Sequence, residues 1–113
     1  MKNREEYTSP DGSLRLLVLR DHGDVTIGFH GYPWHTHGDV VAGELALLGV
    51  AVDTPEAAAQ QFVADILSGR IPIAIVRQGE QIQDVLAAYL FESLPGGDEV
   101  KLRRWNGSPW EAS

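Results

Sequence analysis

The chain contains no cysteine among its 113 residues. A disulfide framework, a thiolate zinc site and a cysteine nucleophile are therefore excluded. No apolar run approaches the roughly 20 residues that a membrane-spanning helix requires, and the polar start of the chain does not have the pattern of a signal peptide. We therefore expect a cytoplasmic protein that has no membrane partner.

Basic residues are also scarce, because nine Lys and Arg stand against 16 Asp and Glu and give a formal net charge of −7. Proteins bind phosphate backbones through Lys and Arg, so this balance disfavours nucleic acid as a partner. The one basic run, Lys101–Arg104 beside Trp105, is typical of a solvated strand face. The acidic charge either serves solubility alone or indicates a protein partner that is basic, since complementary potentials steer association.

Several motifs of catalysis are missing. Neither the G-x-S-x-G of a nucleophile elbow nor the phosphate-binding G-x-x-x-x-G-K-[ST] occurs. The chain has no internal repeat and no linker, and its length suits one domain with its own core. We therefore expect a single domain over 1–113, with no catalytic residue to assign and with residues 1–10 as a flexible lead-in.

Two apolar segments near the start of the chain predict a β-hairpin. Ser9–Gly12 carries the Pro-Asp-Gly signal of a turn. Leu14–Arg20 is apolar on both alternations, which is typical of a central strand covered on both faces. Val25–His30 alternates with a period of two, and residues 21–24 form a connection short enough to join the two strands directly.

Two helices are expected in the middle of the chain. Apolar residues at helical spacing predict a helix from about Val40, which Asp39 could cap and Gly49 could end. A second helix is predicted over 55–68, because Thr54 is a favourable N-cap and a proline follows at the first helical position.

The last third of the chain has two predicted strands around an ambiguous segment. Ile71–Arg77 is rich in β-branched residues, and Val100–Trp105 alternates as a strand does. The apolar spacing over 82–93 fits a helix, although Ile82–Leu86 could instead pair back onto the preceding strand as a hairpin. We favour the helix. The element order predicts an α+β fold: a mostly antiparallel sheet of four or five strands that starts with a β-hairpin, and two or three helices packed on one face.

The segment over 28–39 is the densest in side chains that bind ligands, since it holds three of the four histidines and one of the three tryptophans. Side chains two residues apart project from the same face of an extended chain, so two imidazoles here could reach one metal ion. A site for zinc or another divalent transition metal is therefore one interpretation of this segment. Its candidate ligands are His35, His37, Asp39 and His30, with His22 as a further option.

The run from His35 to Asp39 resembles the first metal motif of the metallo-β-lactamase fold, H-x-H-x-D-H. Val40 stands where that motif has its last histidine, no histidine follows His37, and the chain is too short for the two halves of that fold. The H-x-H pair is also similar to the start of the first cupin motif, but the spacing to Glu44 differs and the histidine of the second cupin motif is absent. We assign the chain to neither family.

The same segment can be interpreted as a recognition surface. Tyr32 and Trp34 supply a large contact area at low entropic cost, while His35, His37 and Asp39 supply directional polar contacts. A purely structural role for the histidines is a third interpretation. In size, acidity and lack of cysteine the chain resembles the immunity proteins that neutralise bacterial toxins, which implies a non-catalytic inhibitor. We therefore predict a small cytoplasmic protein that binds a protein partner through these five residues, with a metal-binding domain or metal-dependent enzyme as the alternative.

Overall fold

The computed structural model describes residues 3–89 and 99–110. All strand pairs are antiparallel and form a first sheet, in the order β1-β2-β3-β4, and a second sheet, in the order β6-β5-β7. The α+β class is confirmed, although the strands of the described residues are divided between two sheets instead of one. In chain order the elements are β1 (Asn3–Thr8), β2 (Arg15–Asp21), β3 (Asp24–Phe29), β4 (His35–His37), α1 (Gly38–Leu47), α2 (Pro55–Leu67), β5 (Ile73–Gln78), β6 (Gln81–Ala87) and β7 (Glu99–Arg103).

The first sheet is built on the predicted hairpin of β2 and β3. Its turn residues His22 and Gly23 have φ angles of 50° and 85°, the left-handed values that a two-residue hairpin turn requires. The register places Val18 opposite Ile27, and both side chains are fully buried. The side of the sheet that carries this pair therefore faces the core.

Helix α2 follows the prediction closely. The Thr54 hydroxyl accepts a hydrogen bond of 3.0 Å from the Ala57 amide, so one free amide of the first turn is satisfied. Phe62 and Ile66, one turn apart, are fully buried and place one face of the helix in the core. Gly69 takes a φ of 78° just after the helix, as a terminating glycine does.

Helix α1 begins two residues earlier than expected. It starts at Gly38, its N-cap is His37 without a side-chain cap, and Asp39 therefore lies inside the first turn. The predicted cap by Asp39 is wrong, because among the described residues its Oδ1 accepts only from the adjacent Val40 amide at 3.0 Å. A Cβ added at Gly38 would lie 2.5 Å from the Pro55 carbonyl oxygen, so the two helices approach each other where both begin.

The expected flexible lead-in is wrong over its described part, because residues 3–8 form β1. This strand pairs with residues 15–20 of β2, with Asn3 opposite Arg20. The Arg20 guanidinium joins three elements, since it bonds Glu5 of β1 and donates to Glu56 Oε1 of α2 at 2.7 Å. Long-range pairing therefore orders a stretch that has little local signal of its own.

The favoured helix over 82–93 is also wrong over its described part, and residues 90–93 lie outside the described residues. Residues 81–87 form β6, which pairs with β5 as the hairpin alternative anticipated. The pairing buries Val85 and Ala87 completely. Because edge pairing and burial contribute more free energy than a helical spacing, the tertiary context decides this segment.

One apolar core joins both sheets and both helices. Ile73 and Val85 of the second sheet belong to the same buried cluster as Val18 and Ile27 of the first. Trp105, beyond β7, is also buried in it. In the part of the chain that the structure describes, neither helix is long and apolar enough to cross a bilayer.

Among the residues that the structure describes, the other side of the first sheet carries no helix. Leu17 and Leu19 alternate with the core residues of β2 and point to this side, and Leu19 is 42% exposed. The prediction that β2 is covered on both faces is therefore wrong. We call this side, with its residues Leu17, Leu19, Thr26, Gly28, His35 and His37, the outer face.

Candidate functional site

The short strand β4 brings the histidine pair onto the outer face. β4 pairs with β3, with His37 opposite Thr26 and His35 opposite Gly28. The two imidazole rings project from the same side, as the spacing predicts, and meet edge to face with centroids 5.3 Å apart. Together with the pairing of β2 and β3, this register places two rows of residues across the sheet. Leu19, Thr26 and His37 form one row, and Leu17, Gly28 and His35 form the other.

Trp34 is held in place through its backbone amide and through its ring. Its amide donates to Asp84 Oδ1 of β6 at 3.1 Å, and its ring lies 5.9 Å from the Phe29 ring. A Cβ added at Gly28 would lie 3.0 Å from the Trp34 carbonyl oxygen. Glycine at that position therefore allows the chain before β4 to pass close over β3.

The chain between β3 and β4 forms the wall of a shallow depression. The Tyr32 amide donates to the Phe29 carbonyl at 3.2 Å, and Gly31 adopts a φ of 87°, so the chain turns back sharply over the sheet. The depression has a volume of about 170 Å³. It is lined by Leu17, Leu19, Thr26, Gly28, Phe29, Tyr32, Pro33, Trp34 and His35.

The two histidines have different hydrogen-bond partners. His35 Nδ1 lies 3.2 Å from the Pro33 carbonyl oxygen, which can only accept, so Nδ1 is the donor. His35 is exposed, and in the neutral ring its Nε2 is then an acceptor. His37 Nδ1 lies 3.2 Å from Thr26 Oγ1 and 3.5 Å from Asp24 Oδ1. His35 therefore offers an exposed acceptor, whereas His37 is bonded within the sheet.

Charged residues lie at two sides of the outer face. On the β1 side, Glu6 is paired with Arg4 at 3.7 Å and with Arg15 at 3.6 Å. At the hairpin end, Asp21 and Asp24 stand opposite each other. Within residues 3–89 and 99–110, neither of these two aspartates has an ion pair with a lysine or arginine. The hairpin end therefore carries two carboxylates without such a partner, in a depression that Arg4 and Arg20 also line.

The metal interpretation has no geometric support among the described residues. Asp39 lies on α1, where residues two apart no longer project to the same side as they do in an extended chain. His30 follows β3 and is exposed, and His22 lies at the hairpin tip beside Asp21 at 3.3 Å. Over 3–89 and 99–110, no three histidine or carboxylate side chains converge as a metal ion requires.

The sequence interpretation missed three residues that shape the outer face. Leu17 and Leu19 form its apolar centre, and Asp84 holds the Trp34 amide from the second sheet. The sequence did contain a signal for the two leucines, because Leu14–Arg20 is apolar on both alternations. That pattern predicted, however, that both faces of the strand are buried, whereas one face is exposed. Asp84 had no local signal, since its partner is 50 residues away.

Other polar clusters are structural. Tyr89 donates to Asp65 Oδ2 at 2.6 Å beneath α2, and burial raises the pKa of Tyr89. The Tyr7 hydroxyl donates to Glu5 Oε2 at 2.5 Å and lowers the pKa of that carboxyl. The first pair connects the chain after β6 to α2, the second lies within β1, and neither lines the depression of the outer face.

Comparison of the chain with protein-family models, with curated proteins and with solved structures finds no match.

Proposed function

We propose that this chain is a non-catalytic protein-binding domain of the inhibitor or immunity type, and that it binds its partner with the outer face around Trp34. One observation carries the proposal: among the described residues, a sheet face without a covering helix presents exposed Leu19 and His35 around a depression that half-buried Trp34 also lines. Exposed apolar surface rimmed by polar groups is typical of interaction sites. Tryptophan in particular is enriched among the residues that dominate binding energy.

The depression beside Trp34 favours a protein side chain over a small molecule. The depression, of about 170 Å³, is smaller than the roughly 300–1,000 Å³ of ordinary small-ligand pockets. It is large enough to accept one apolar side chain of a partner. The surrounding sheet has four strands, so that further contacts can form around this anchor.

The charges around the outer face predict a basic partner. Asp21 and Asp24 at the hairpin end have no ion pair with a lysine or arginine among the described residues, and the chain as a whole carries a formal charge of −7. A partner with Lys or Arg beside its apolar anchor would gain both attraction and faster association. His35 Nε2 supplies a directional acceptor for the same partner.

The experiment captures a partner from the source cell on immobilised protein and then measures its affinity. We expect a Kd in the micromolar range or tighter, and a loss of at least tenfold for His35→Ala combined with Leu19→Ser. Both positions are exposed, so the melting temperature should change little. Trp110→Ala is the matched control, because Trp110 stacks with Arg104 at 4.5 Å, away from the outer face.

Two results would overturn the proposal. One is a captured partner whose affinity is the same for the outer-face variant and the wild type. The other is about one equivalent of a transition metal in untagged protein that is lost in His35→Ala/His37→Ala, because that result would assign the histidine pair to metal chemistry.

A further inference from the structure

A second cavity, separate from the outer face, lies beside the second sheet. Three basic side chains line it, namely Arg77, Lys101 and Arg103, and its volume is about 280 Å³. None of the residues around it lines the depression beside Trp34. We call it the basic cavity.

The pairing of β5 with β7 brings the three cations together. Lys101 stands opposite Ile75, and Arg103 stands opposite Ile73, so both basic side chains project to the side of the sheet that carries these two core isoleucines. Arg77, two residues after Ile75, continues the same side of β5. Two members of the basic run near the end of the chain therefore line a cavity together with an arginine from the neighbouring strand.

The floor of the basic cavity is apolar. It includes the buried side chains of Leu14 and Ile75 and the half-buried side chain of Ile82. Leu14 directly precedes β2, so the basic cavity lies where the first sheet meets the second. Apolar walls with a few placed polar groups are typical of sites for small molecules.

Two of the three cations already have a carboxylate partner. Arg103, whose side chain is 16% exposed, lies 3.0 Å from Asp11 Oδ2, and the Lys101 ammonium lies 3.3 Å from Glu99 Oε1. Arg77 is different. It is half-buried, and its side chain has no hydrogen bond or ion pair with any described residue, although Glu99 stands opposite it in the register.

The unpaired guanidinium indicates the charge of the missing ligand. Arg77 carries five N–H donors, and their partial removal from water costs free energy unless an acceptor is present. Glu80, in the turn after β5, is exposed and does not line the basic cavity. One unpaired positive charge matches a monoanion, and the two oxygens of a carboxylate fit the planar fork of an arginine.

We propose that the basic cavity binds a small organic carboxylate, with the carboxylate on Arg77 and an apolar body against Ile75 and Ile82. Lys101, whose side chain is 70% exposed, adds positive potential at the entrance. The volume of about 280 Å³ is near the lower limit of roughly 300 Å³ for small-ligand pockets, so the ligand is small and its affinity is modest. This site goes beyond the proposed function, because it shares no lining residue with the outer-face depression.

The first experiment is calorimetric titration of the full chain with three probes: octanoate, octan-1-ol and acetate. Octan-1-ol keeps the apolar body without the charge, and acetate keeps the charge without the body. We expect octanoate to bind with a Kd of about 0.1–1 mM, as suits a ligand of its size. Both other probes should bind at least tenfold more weakly. This comparison uses the wild-type chain alone, so it decides the question independently of how well any variant folds.

The second experiment locates the site with two variants. Arg77→Gln should weaken octanoate binding at least tenfold, whereas Arg4→Gln, which removes the same charge from an arginine of β1 that is 56% exposed, should bind octanoate like the wild type. Melting temperatures measured without ligand show whether both variants fold. In amide NMR spectra of the wild type, octanoate should shift the signals of Arg77 and Ile82 and leave that of Trp34 unchanged.

Four results would overturn the proposal. Octanoate fails to bind at concentrations well above the expected Kd, or octan-1-ol binds equally well, which would remove the role of the charge. Octanoate binds Arg77→Gln as tightly as the wild type, or Arg4→Gln loses as much affinity as Arg77→Gln. Octyl phosphate binds at least tenfold tighter than octanoate, which would replace the monoanion by a more highly charged ligand. The octanoate shifts fall at Trp34 instead of Arg77. Each of these results would leave protein binding at the outer face untouched, so the two proposals fail separately.

Discussion

Asp84 shows how one carboxylate can position a binding residue from the other sheet. Its Oδ1 accepts from the Trp34 amide at 3.1 Å and from the Val85 amide at 2.9 Å. Trp34 precedes β4 and has no strand partner of its own for this amide. The placement of the tryptophan therefore depends on a residue of β6 as well as on β3.

We expect Asp84→Ala to lower the free energy of unfolding by about 1–2 kcal/mol, because a partly buried bond to a charged acceptor is removed. Asp84→Asn, which keeps an acceptor oxygen, should cost about half as much or less. Urea denaturation followed by circular dichroism measures both values. Hydrogen exchange should also show faster exchange of the Trp34 amide in Asp84→Ala, and unchanged exchange there would contradict the role given to Asp84.

At the scale of the element, α1 contains one glycine that is tightly packed and one that faces open space. Gly38 stands where a Cβ would lie 2.5 Å from the Pro55 carbonyl oxygen and 3.2 Å from the Pro55 Cβ, whereas Gly43 faces open space. The first glycine allows α1 and α2 to begin side by side. The second is dispensable for the fold.

The same substitution at these two positions should have opposite effects. Gly38→Ala should destabilise the protein by about 1–2 kcal/mol, since a backbone oxygen and a proline cannot move aside without a shift of the helices. Gly43→Ala should stabilise the protein by about 0.5–1 kcal/mol, since alanine favours the helix. Thermal unfolding at low micromolar concentration checks both. A destabilised Gly43→Ala variant would mean that the position is constrained within the fold.

At the scale of the whole molecule, an ion pair at the end of the turn before β2 connects the two sheets. Arg103 Nη1 of β7 lies 3.0 Å from Asp11 Oδ2, and the Ser9 hydroxyl donates to the other oxygen of Asp11 at 2.6 Å. The hydrogen bonds from Arg103 and Ser9 hold the pKa of Asp11 well below its usual range. The folded state therefore favours the ionised carboxylate.

This contact should make stability sensitive to acid. Because the folded pKa of Asp11 is depressed, its contribution is complete above the unfolded pKa of about 3.9 and is lost as the pH falls below it. The side chain is 37% exposed, so solvent screening limits the effect to about 0.5–1 kcal/mol. Asp11→Asn should be less stable than the wild type at about pH 6, and the difference should narrow progressively as the pH falls below about 4.

Thermal unfolding across that pH range measures the difference. Asp53→Asn is the control, because Asp53 is an exposed carboxylate with no hydrogen bond in the part of the chain that the structure describes. A difference between Asp11→Asn and wild type that does not vary with pH would contradict the contribution of the ionised Asp11.

The elements that the sequence predicted correctly are those with local signals. The hairpin of β2 and β3 follows from period-two alternation and a short turn, and the start of α2 follows from Thr54 and the proline after it. The parity of His35 and His37 also follows from an extended chain. At the candidate site, however, Asp39 does not project to the same side as His35 and His37. The helix α1 begins at Gly38, and residues two apart on a helix do not share a face.

What the sequence by itself determined is the fold class, the hairpin, α2 and the cluster of aromatic and histidine residues before α1, because each depends on neighbours within a few positions. The tertiary structure alone decided that residues 3–8 and 81–87 are strands, since their partners are distant in the chain and burial outweighs local spacing. It also decided which face of β2 stays uncovered. That choice turns Leu19 from an expected core residue into part of the proposed binding surface, because only the packing of the helices determines which side of a sheet meets water.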